Sequence, residues 1–278
     1  MSFKLLYLMD EVTDPAMSIL AEGQIDGPKS YLFNIIENIN CLVFSLITCK
    51  IKNIEFIQNK ISSNNSMFHT RVRAGNRIGP HHEDVISVIV GSLLGDGYAN
   101  KRSVEGTRLC YRQSIVHKDY LFWLYEFFYS RGYCSNLEPR MYIRTIKKGE
   151  QIEKYFGYEF NTFTFRSFNW LHEMFYKNGK KIVSPDIEKY ITPLALAIFI
   201  MDDGGWANPG VRIATNNFKL EEVQLLVEIL KKFNLDCTVQ KIKNNNQYSI
   251  YIKGSSIPTL KKLILFHLHP SMYYKLGL

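Results

Sequence analysis

Two apolar runs of helical length, each stopped by an acid and a glycine, organise the hydrophobic pattern of the chain. The first is Val85-Ile-Ser-Val-Ile-Val-Gly91-Ser-Leu-Leu-Gly95, halted at Asp96-Gly97-Tyr98. Glu83 and Asp84 precede it, and negative charge suits the first turn of a helix. A helix is therefore predicted from Glu83, with Gly97 as a left-handed cap. Gly91 and Gly95 lie four apart, so they share one face and let another backbone come close. The second run begins at Thr192-Pro193, with Thr as N-cap and Pro at the first helical position. It continues Leu194-Ala-Leu-Ala-Ile-Phe-Ile-Met201 and halts at Asp202-Asp203-Gly204-Gly205-Trp206.

Behind each run the pattern changes period. After the first, Arg108–His117, Pro139–Lys147 and Tyr158–Phe168 read as strands, and a further strand follows Tyr98. In the second of these Arg140, Tyr142 and Arg144 share one face, opposite Met141 and Ile143. Lys118–Arg131 and Ser167–Tyr176 read as amphipathic helices. After the second run come a strand (Val211–Asn216), a helix (Leu220–Phe233), a strand pair (Cys237–Lys243 and Gln247–Lys253) and a final helix (Ser256–Leu268). The first half thus runs αββαββα and the second matches it in order and in the position of its acidic stop, so the chain is read as two αββαββα subdomains, an α+β internal repeat of about one hundred residues. The implied layout is an N-terminal extension (1–82) with no assigned role, a first subdomain (83–180), a charged, Pro-containing linker (181–192) and a second subdomain (193–278). The extension holds a polar stretch, Gln58–Ser66, and a basic one at Arg71, Arg73 and Arg77.

Composition narrows the function. Of 278 residues 46% are hydrophobic, enough for a proper core, and the formal charge of +8 with pI ≈ 9.1 favours a polyanionic partner. Five scattered cysteines form no C-x-x-C pair, so neither a disulfide framework nor a structural zinc is expected, and a reducing compartment fits. His81, His82, His267 and His269 lack metal-pair spacing and read as surface or packing residues. Acids at Asp10, Glu11 and Asp14 argue against a secretory signal. The most apolar stretch, Cys41–Thr48, is far short of the roughly 20 residues of a membrane span, so a soluble protein with no membrane partner is expected. Abundant Lys, Asn, Ile, Phe and Tyr suggest an A·T-rich genome of the kind organelles carry.

The chemistry lies where the runs stop. A carboxylate at a helix C-terminus faces the negative end of the dipole. If the two helices pack side by side, the carboxylates also repel each other. A divalent cation between them removes both penalties, and oxygen ligands of this kind suit Mg²⁺. Two acids with metal over a phosphodiester is an arrangement for in-line hydrolysis of a nucleic-acid backbone. Neither a G-x-S-x-G elbow, a Cys/His pairing nor a Walker-type loop points to another mechanism.

At these residues the chain resembles the LAGLIDADG homing endonucleases. Ile89-Val-Gly-Ser-Leu-Leu-Gly-Asp96-Gly97 matches the first copy of the family motif, and Leu196-Ala-Ile-Phe-Ile-Met-Asp-Asp203-Gly204 matches the second more loosely, with Ile198 and Asp202 at positions usually small. The similarity covers residues 83–278 and is closest to the double-motif, intron-encoded mitochondrial enzymes with Met-Asp-Asp-Gly-Gly in the second helix. The resemblance implies a monomer with pseudo-twofold symmetry and two saddle-shaped four-stranded sheets over double-stranded DNA. It implies that Asp96 and Asp203 bind Mg²⁺ (or Mn²⁺) and cut one strand each, leaving 3′ overhangs. Lys181 and Lys275 take the places of basic residues that polarise water or steady the phosphate. Gln113 sits near a water-positioning residue, with Arg112 as a rival. The second-half counterpart falls near Ala214 or Asn216. Asp202 competes with Asp203 for metal, but one residue turns it about 100° around the helix. Arg108, Arg112, Arg140, Arg144 and Arg166 in one half, and Arg212, Lys241, Lys243 and Lys253 in the other, are the expected DNA contacts. An RNA maturase assisting a group I intron, alone or as a second activity, is the alternative; a non-cleaving DNA-binding regulator is a further rival. The intact acids favour cleavage.

Overall fold

A computed structural model describes residues 72–149, 151–242 and 246–278, all within one compact unit of the chain. Arg71, Lys243 and nearly all of the N-terminal extension lie outside the described residues. Each half carries the same plan. The first runs α1 (Glu83–Leu94), β1 (Tyr98–Ser103), β2 (Gly106–Ser114), α2 (Lys118–Tyr129), β3 (Arg140–Lys148), β4 (Gln151–Asn161) and α3 (Asn169–Phe175). After a short hairpin, β5 (Tyr176–Lys177) and β6 (Lys180–Lys181), the second half runs α4 (Pro193–Asp203), β7 (Gly204–Ala207), β8 (Gly210–Ala214), α5 (Leu220–Lys232), β9 (Cys237–Lys241), β10 (Tyr248–Ile252) and α6 (Ile257–Ile264). The two antiparallel sheets have equivalent orders, β1-β2-β4-β3 and β7-β8-β10-β9.

The two apolar helices form because neither has a polar face to offer water. Val85, Val88, Ile89, Val90, Ala197, Ile198, Ile200 and Met201 are all fully buried. Such helices must pack on other elements all round, and they pack on each other. Thr192 caps α4 by accepting from the Ala195 amide (3.1 Å) and donates its hydroxyl to Ser87 of α1 (2.9 Å). Close approach depends on Gly91 and Gly95. A Cβ on Gly91 would lie 2.3 Å from the Ala195 carbonyl oxygen, and one on Gly95 would lie 2.5 Å from the Cβ of Asp202. Gly97 is not the left-handed cap expected of it: its φ is not positive. Its amide donates to the Ser92 carbonyl (2.8 Å), and a Cβ there would meet Ser92 at 2.9 Å. Crowding, not backbone handedness, makes that position glycine.

The two cores differ in kind. The first is aromatic, with Tyr120, Phe128, Phe165, Phe168 and Phe175 fully buried; the second is aliphatic, built on Val211, Ile213, Val223, Ile250, Ile252, Leu260 and Ile264. His81 is a packing residue of the aromatic core. Its ring lies 4.6 Å from that of Phe168, it bonds Tyr133 and Ser167, and burial pushes it down to about 4.

Three expected boundaries move. The strand placed at Tyr158–Phe168 is β4, which begins at Gln151 and ends at Asn161; the chain then stays bonded to β2 through Thr162 and Leu109, meets it again through Phe165 opposite Thr107, and turns at Arg166–Phe168. Its first half was hidden because the β3–β4 hairpin has no alternating burial: Met141, Ile143, Ile152 and Phe156 are all exposed. The strand through Arg108 stops at Ser114, and Ile115–His117 is a 3-10 turn. The stretch 181–192 is ordered, with a 3-10 segment at Pro185–Tyr190 that buries Ile187. Among the described residues no helix is long and apolar enough to cross a membrane.

Candidate active site

The C-terminal ends of α1 and α4 come together, and with them Asp96, Asp202 and Asp203. The Asp96 amide donates to Asp202 Oδ2 (3.3 Å), so the end of the second helix reaches into the turn of the first. Gln113 completes the link. Its Nε2 donates to Asp96 Oδ2 at 2.7 Å and lies 3.4 Å from Asp202 Oδ1. Gln113 can do this because it sits at the end of β2 on the inward face, in phase with buried Leu109 and Tyr111. Arg112 points the other way and is held by Glu159, so the geometry brings Gln113, not its neighbour, to the acids.

Asp202 is further tied by the buried Tyr120 hydroxyl, which donates to its Oδ1 at 2.9 Å. Burial, then the charge of Asp96, pushes the Asp202 carboxyl far above the usual range, while Tyr120 acts in the opposite sense. Asp203 is pushed up to about 7, by burial first and then by Asp96, against a pull downward from Lys181 and Lys275. Among the described residues no side chain donates a hydrogen bond to it.

Each helix end is met by a lysine. Lys181 Nζ donates to the carbonyls of Gly95 (3.0 Å) and Gly97 (2.8 Å), either side of Asp96. Lys275 Nζ donates to the Met201 carbonyl and to that of Asp202 (2.8 Å). Both ammonium groups satisfy carbonyls that helix ends leave open and oppose the negative end of the dipole. Burial lowers both lysines from their ordinary value. Among the described residues the second half has no counterpart of Gln113: Ala214 faces outward, Asn216 is exposed, and Thr215 between them donates to the Tyr248 carbonyl (2.7 Å).

Among the described residues no three His, Cys, Asp or Glu side chains are grouped to hold a metal ion alone. What is present is an oxygen-only set of acids crowded at two helix ends, of which Asp202 and Asp203 are disfavoured as anions by burial and by the charge of Asp96. That donor chemistry fits a hard divalent cation that draws its remaining ligands from outside the chain.

The outward faces of the two sheets are unequal. On the first, Arg108, Arg112, Arg140, Tyr142 and Arg144 share the face opposite the core. Glu159, buried between Arg112 and Arg140, bonds both, with 2.8 Å to Arg112 Nε and 2.7 Å to Arg140 Nε; Arg112 also lies over the Tyr142 ring at 4.8 Å. On the second, Arg212 is the one basic residue of the strands on that face among the described residues, bonded to Gln240 at 3.1 Å. Lys241 is in register with Tyr248 on the opposite face, and Lys253 follows the strand end, paired with Asp236 at 2.8 Å. Arg166 lies in a 3-10 turn, off the sheet. Sequence reading missed Tyr120, His117 and Tyr274, and set Asp202 aside. Nothing in the local pattern distinguishes Tyr120 from its aromatic neighbours on α2.

Comparison with known proteins agrees with this geometry. The profile of the LAGLIDADG DNA endonuclease family matches residues 86–260. Intron-encoded endonuclease ai4 of Dictyostelium discoideum is 48% identical over 157 residues, 56% of this chain and 99% of that protein. Cytochrome b mRNA maturase bI2 of Saccharomyces cerevisiae is 38% identical over 240 residues, covering 83% of this chain but 56% of its own length. Among solved structures, the homing endonuclease I-WcaI bound to its DNA recognition sequence superposes with a TM-score of 0.64 at 29% identity, over 73% of this chain and 90% of that one. With the motifs on two packed helices and the matched region spanning both halves, the chain belongs to the LAGLIDADG DNA endonuclease family.

Proposed function

We propose that the chain is a site-specific double-strand DNA endonuclease of intron homing, hydrolysing phosphodiester bonds with Mg²⁺ or Mn²⁺ and leaving 3′ overhangs. The observation that carries this is the juxtaposition of Asp96 and Asp203 at paired helix ends between two outward-facing sheets. A divalent cation held there would stabilise charge developing on the phosphate and lower the pKa of an attacking water. The chain's own contribution is placement. Asp96 and Asp203 present carboxylate oxygens; Gln113 fixes the rotamer of Asp96; Lys181 and Lys275 neutralise the helix ends behind them. Arg108, Arg112, Arg140, Arg144 and Arg212 stand on the faces toward DNA, where Arg paired to guanine is the commonest base contact. We assign Lys241 and Lys253 lesser weight from their placement. The protein acts as a monomer, because both centres lie in one chain, and its relation to a cytochrome b mRNA maturase favours a mitochondrial setting.

The same relation supports a second activity, assistance of group I intron splicing as an RNA maturase. Splicing of the host intron transcript with and without the protein would decide it.

Purified protein with Mg²⁺ should cut duplex DNA spanning the intron-insertion site. Asp96→Asn and Asp203→Asn should bind that duplex but fail to break both strands. The expected loss is several kcal/mol of transition-state stabilisation, roughly a thousandfold or more in rate. If both variants cut as the parent does, the mechanism is wrong.

A further inference from the structure

A line of hydrogen bonds leaves the Asp96 centre and ends in the other half of the molecule. Gln113 Nε2 donates to Asp96 Oδ2 at 2.7 Å. Its Oε1 lies 3.2 Å from His117 Nδ1, and His117 Nε2 lies 3.2 Å from the Tyr274 hydroxyl. Tyr274 is half-exposed and belongs to the 3-10 segment Pro270–Leu276, beside Lys275, whose ammonium holds the end of α4. His117 lies in the turn that follows β2, so four residues of chain carry it back over Gln113.

The directions of these bonds follow from the carboxylate. The Asp96 Oδ2 accepts from the Gln113 NH₂, which turns the amide carbonyl to His117. That carbonyl needs a donor, which makes Nδ1 the protonated ring nitrogen. The bare Nε2 then accepts from the Tyr274 hydroxyl. Burial and the charge of Lys275 lower His117 from its ordinary value, in keeping with a neutral ring. Without the histidine the amide carbonyl loses its donor on this line, and the contact with Asp96 is left to hold the Gln113 orientation without support from behind.

We propose that His117 and Tyr274 are positioning residues of the Asp96 centre: together they lock the Gln113 amide, so that the second half of the chain orients the first acid. Among the described residues no equivalent line reaches Asp203, and the two centres therefore depend on it unequally. The proposal rests on the endonuclease reading only for its consequence in catalysis; the hydrogen-bond line itself can be tested on metal-free protein.

Two measurements test it. In protein carrying ¹⁵N-histidine without metal, the His117 ring should show the Nδ1–H tautomer, and Tyr274→Phe should raise the Nε2–H fraction. In cleavage of the insertion-site duplex labelled on each strand, His117→Ala should slow one strand about tenfold or more, the scale of lost second-layer support, and leave the other within about twofold, so nicked DNA accumulates. Tyr274→Phe, an exposed change that leaves the fold intact, should do the same more weakly, and His117→Gln should restore part of the loss. A dominant Nε2–H tautomer, or equal slowing of both strands, overturns the proposal. If the parent protein cuts neither strand, the endonuclease reading falls while the tautomer still decides the line.

Discussion

The ends of the two motif helices occupy equivalent positions in a duplicated fold, yet they are supported in different ways. Asp96 is held: its amide bonds Asp202, its carboxylate accepts from Gln113, and the flanking carbonyls are taken by Lys181. Asp203 is only crowded. It has Lys275 behind its helix and is pushed up to about 7, chiefly by burial. The difference traces to single residues. Where the first motif has Gly91 and Gly95 the second has Ile198 and Asp202, and these larger side chains fill the spaces that the glycines leave. Duplication preserved topology and the acid, while complementarity across the seam drove the copies apart: one helix became the smooth surface and the other the filler.

Breaking that seam should give the largest effect. A methyl group at Gly91 meets the Ala195 carbonyl oxygen at 2.3 Å and the Ile198 Cβ at 2.7 Å. The carbonyl belongs to a buried helix and cannot swing aside. Gly91→Ala should therefore cost about 3 kcal/mol, the upper part of the overpacking range, and lower Tm by roughly 6–12 °C. Ile198→Ala alone should cost about 2–5 kcal/mol through the cavity it leaves. The informative protein is the double variant. Because the backbone contact persists, the second substitution should not rescue the first. Recovery of the parental Tm would mean that side-chain volume, not backbone approach, sets the distance between the helices.

A smaller effect separates the acids by pH. Asp203 has its folded pKa raised above the ordinary carboxylate value of 3.8, to about 7. The folded state thus holds that proton more tightly than the unfolded chain. Its penalty is complete above pH 7 and fades as pH falls from 7 toward 3.8. Comparing metal-free parent with Asp203→Asn cancels the contribution of other groups. The variant should melt higher at pH 8, by roughly 2–4 °C if the penalty is about 1 kcal/mol, and the difference should shrink by pH 5. Mg²⁺ should raise the parent's Tm at pH 8 and lose that effect in the variant. A difference in Tm that does not change with pH would show that Asp203 is not the group bearing the burden.

How much of this was legible depended on whether the signal was local. The paired helices were legible because both are apolar all round and both stop at an acid, and the repeat was legible because the change from helical to alternating period recurs. Strand β4 was misplaced by several residues because its outer half is exposed on both faces, which erases the alternation on which strand reading depends. Gln113 could be placed by resemblance, but its partners could not. His117 and Tyr274 stand 157 positions apart and meet only after the halves close. Asp202 was set aside on helical register, which was sound for its own helix; its partners Asp96, Gln113 and Tyr120 lie in the other half of the chain.

The remaining effects concern DNA binding by the two sheets rather than stability, and they sharpen the same inequality. On the first outward face Glu159 fixes Arg112 and Arg140 as a rigid pair, whereas on the second Arg212 stands alone among the described strand residues. Arg112→Ala and Arg212→Ala should each cost about 1–3 kcal/mol at a single base pair, the usual worth of a bidentate contact. The two penalties should map to opposite half-sites. Lys241→Ala should change affinity by no more than about 0.5 kcal/mol, as surface substitutions away from special features do, because that side chain lies on the other face of its sheet. Titrating each variant against a set of duplexes with one base pair changed at a time would read these costs directly. A base-specific penalty at Lys241 would place the DNA on the wrong side of the second sheet. A uniform loss at Arg112 across all duplexes would reduce it from a reader of bases to a phosphate contact, with a salt slope shallower by about one.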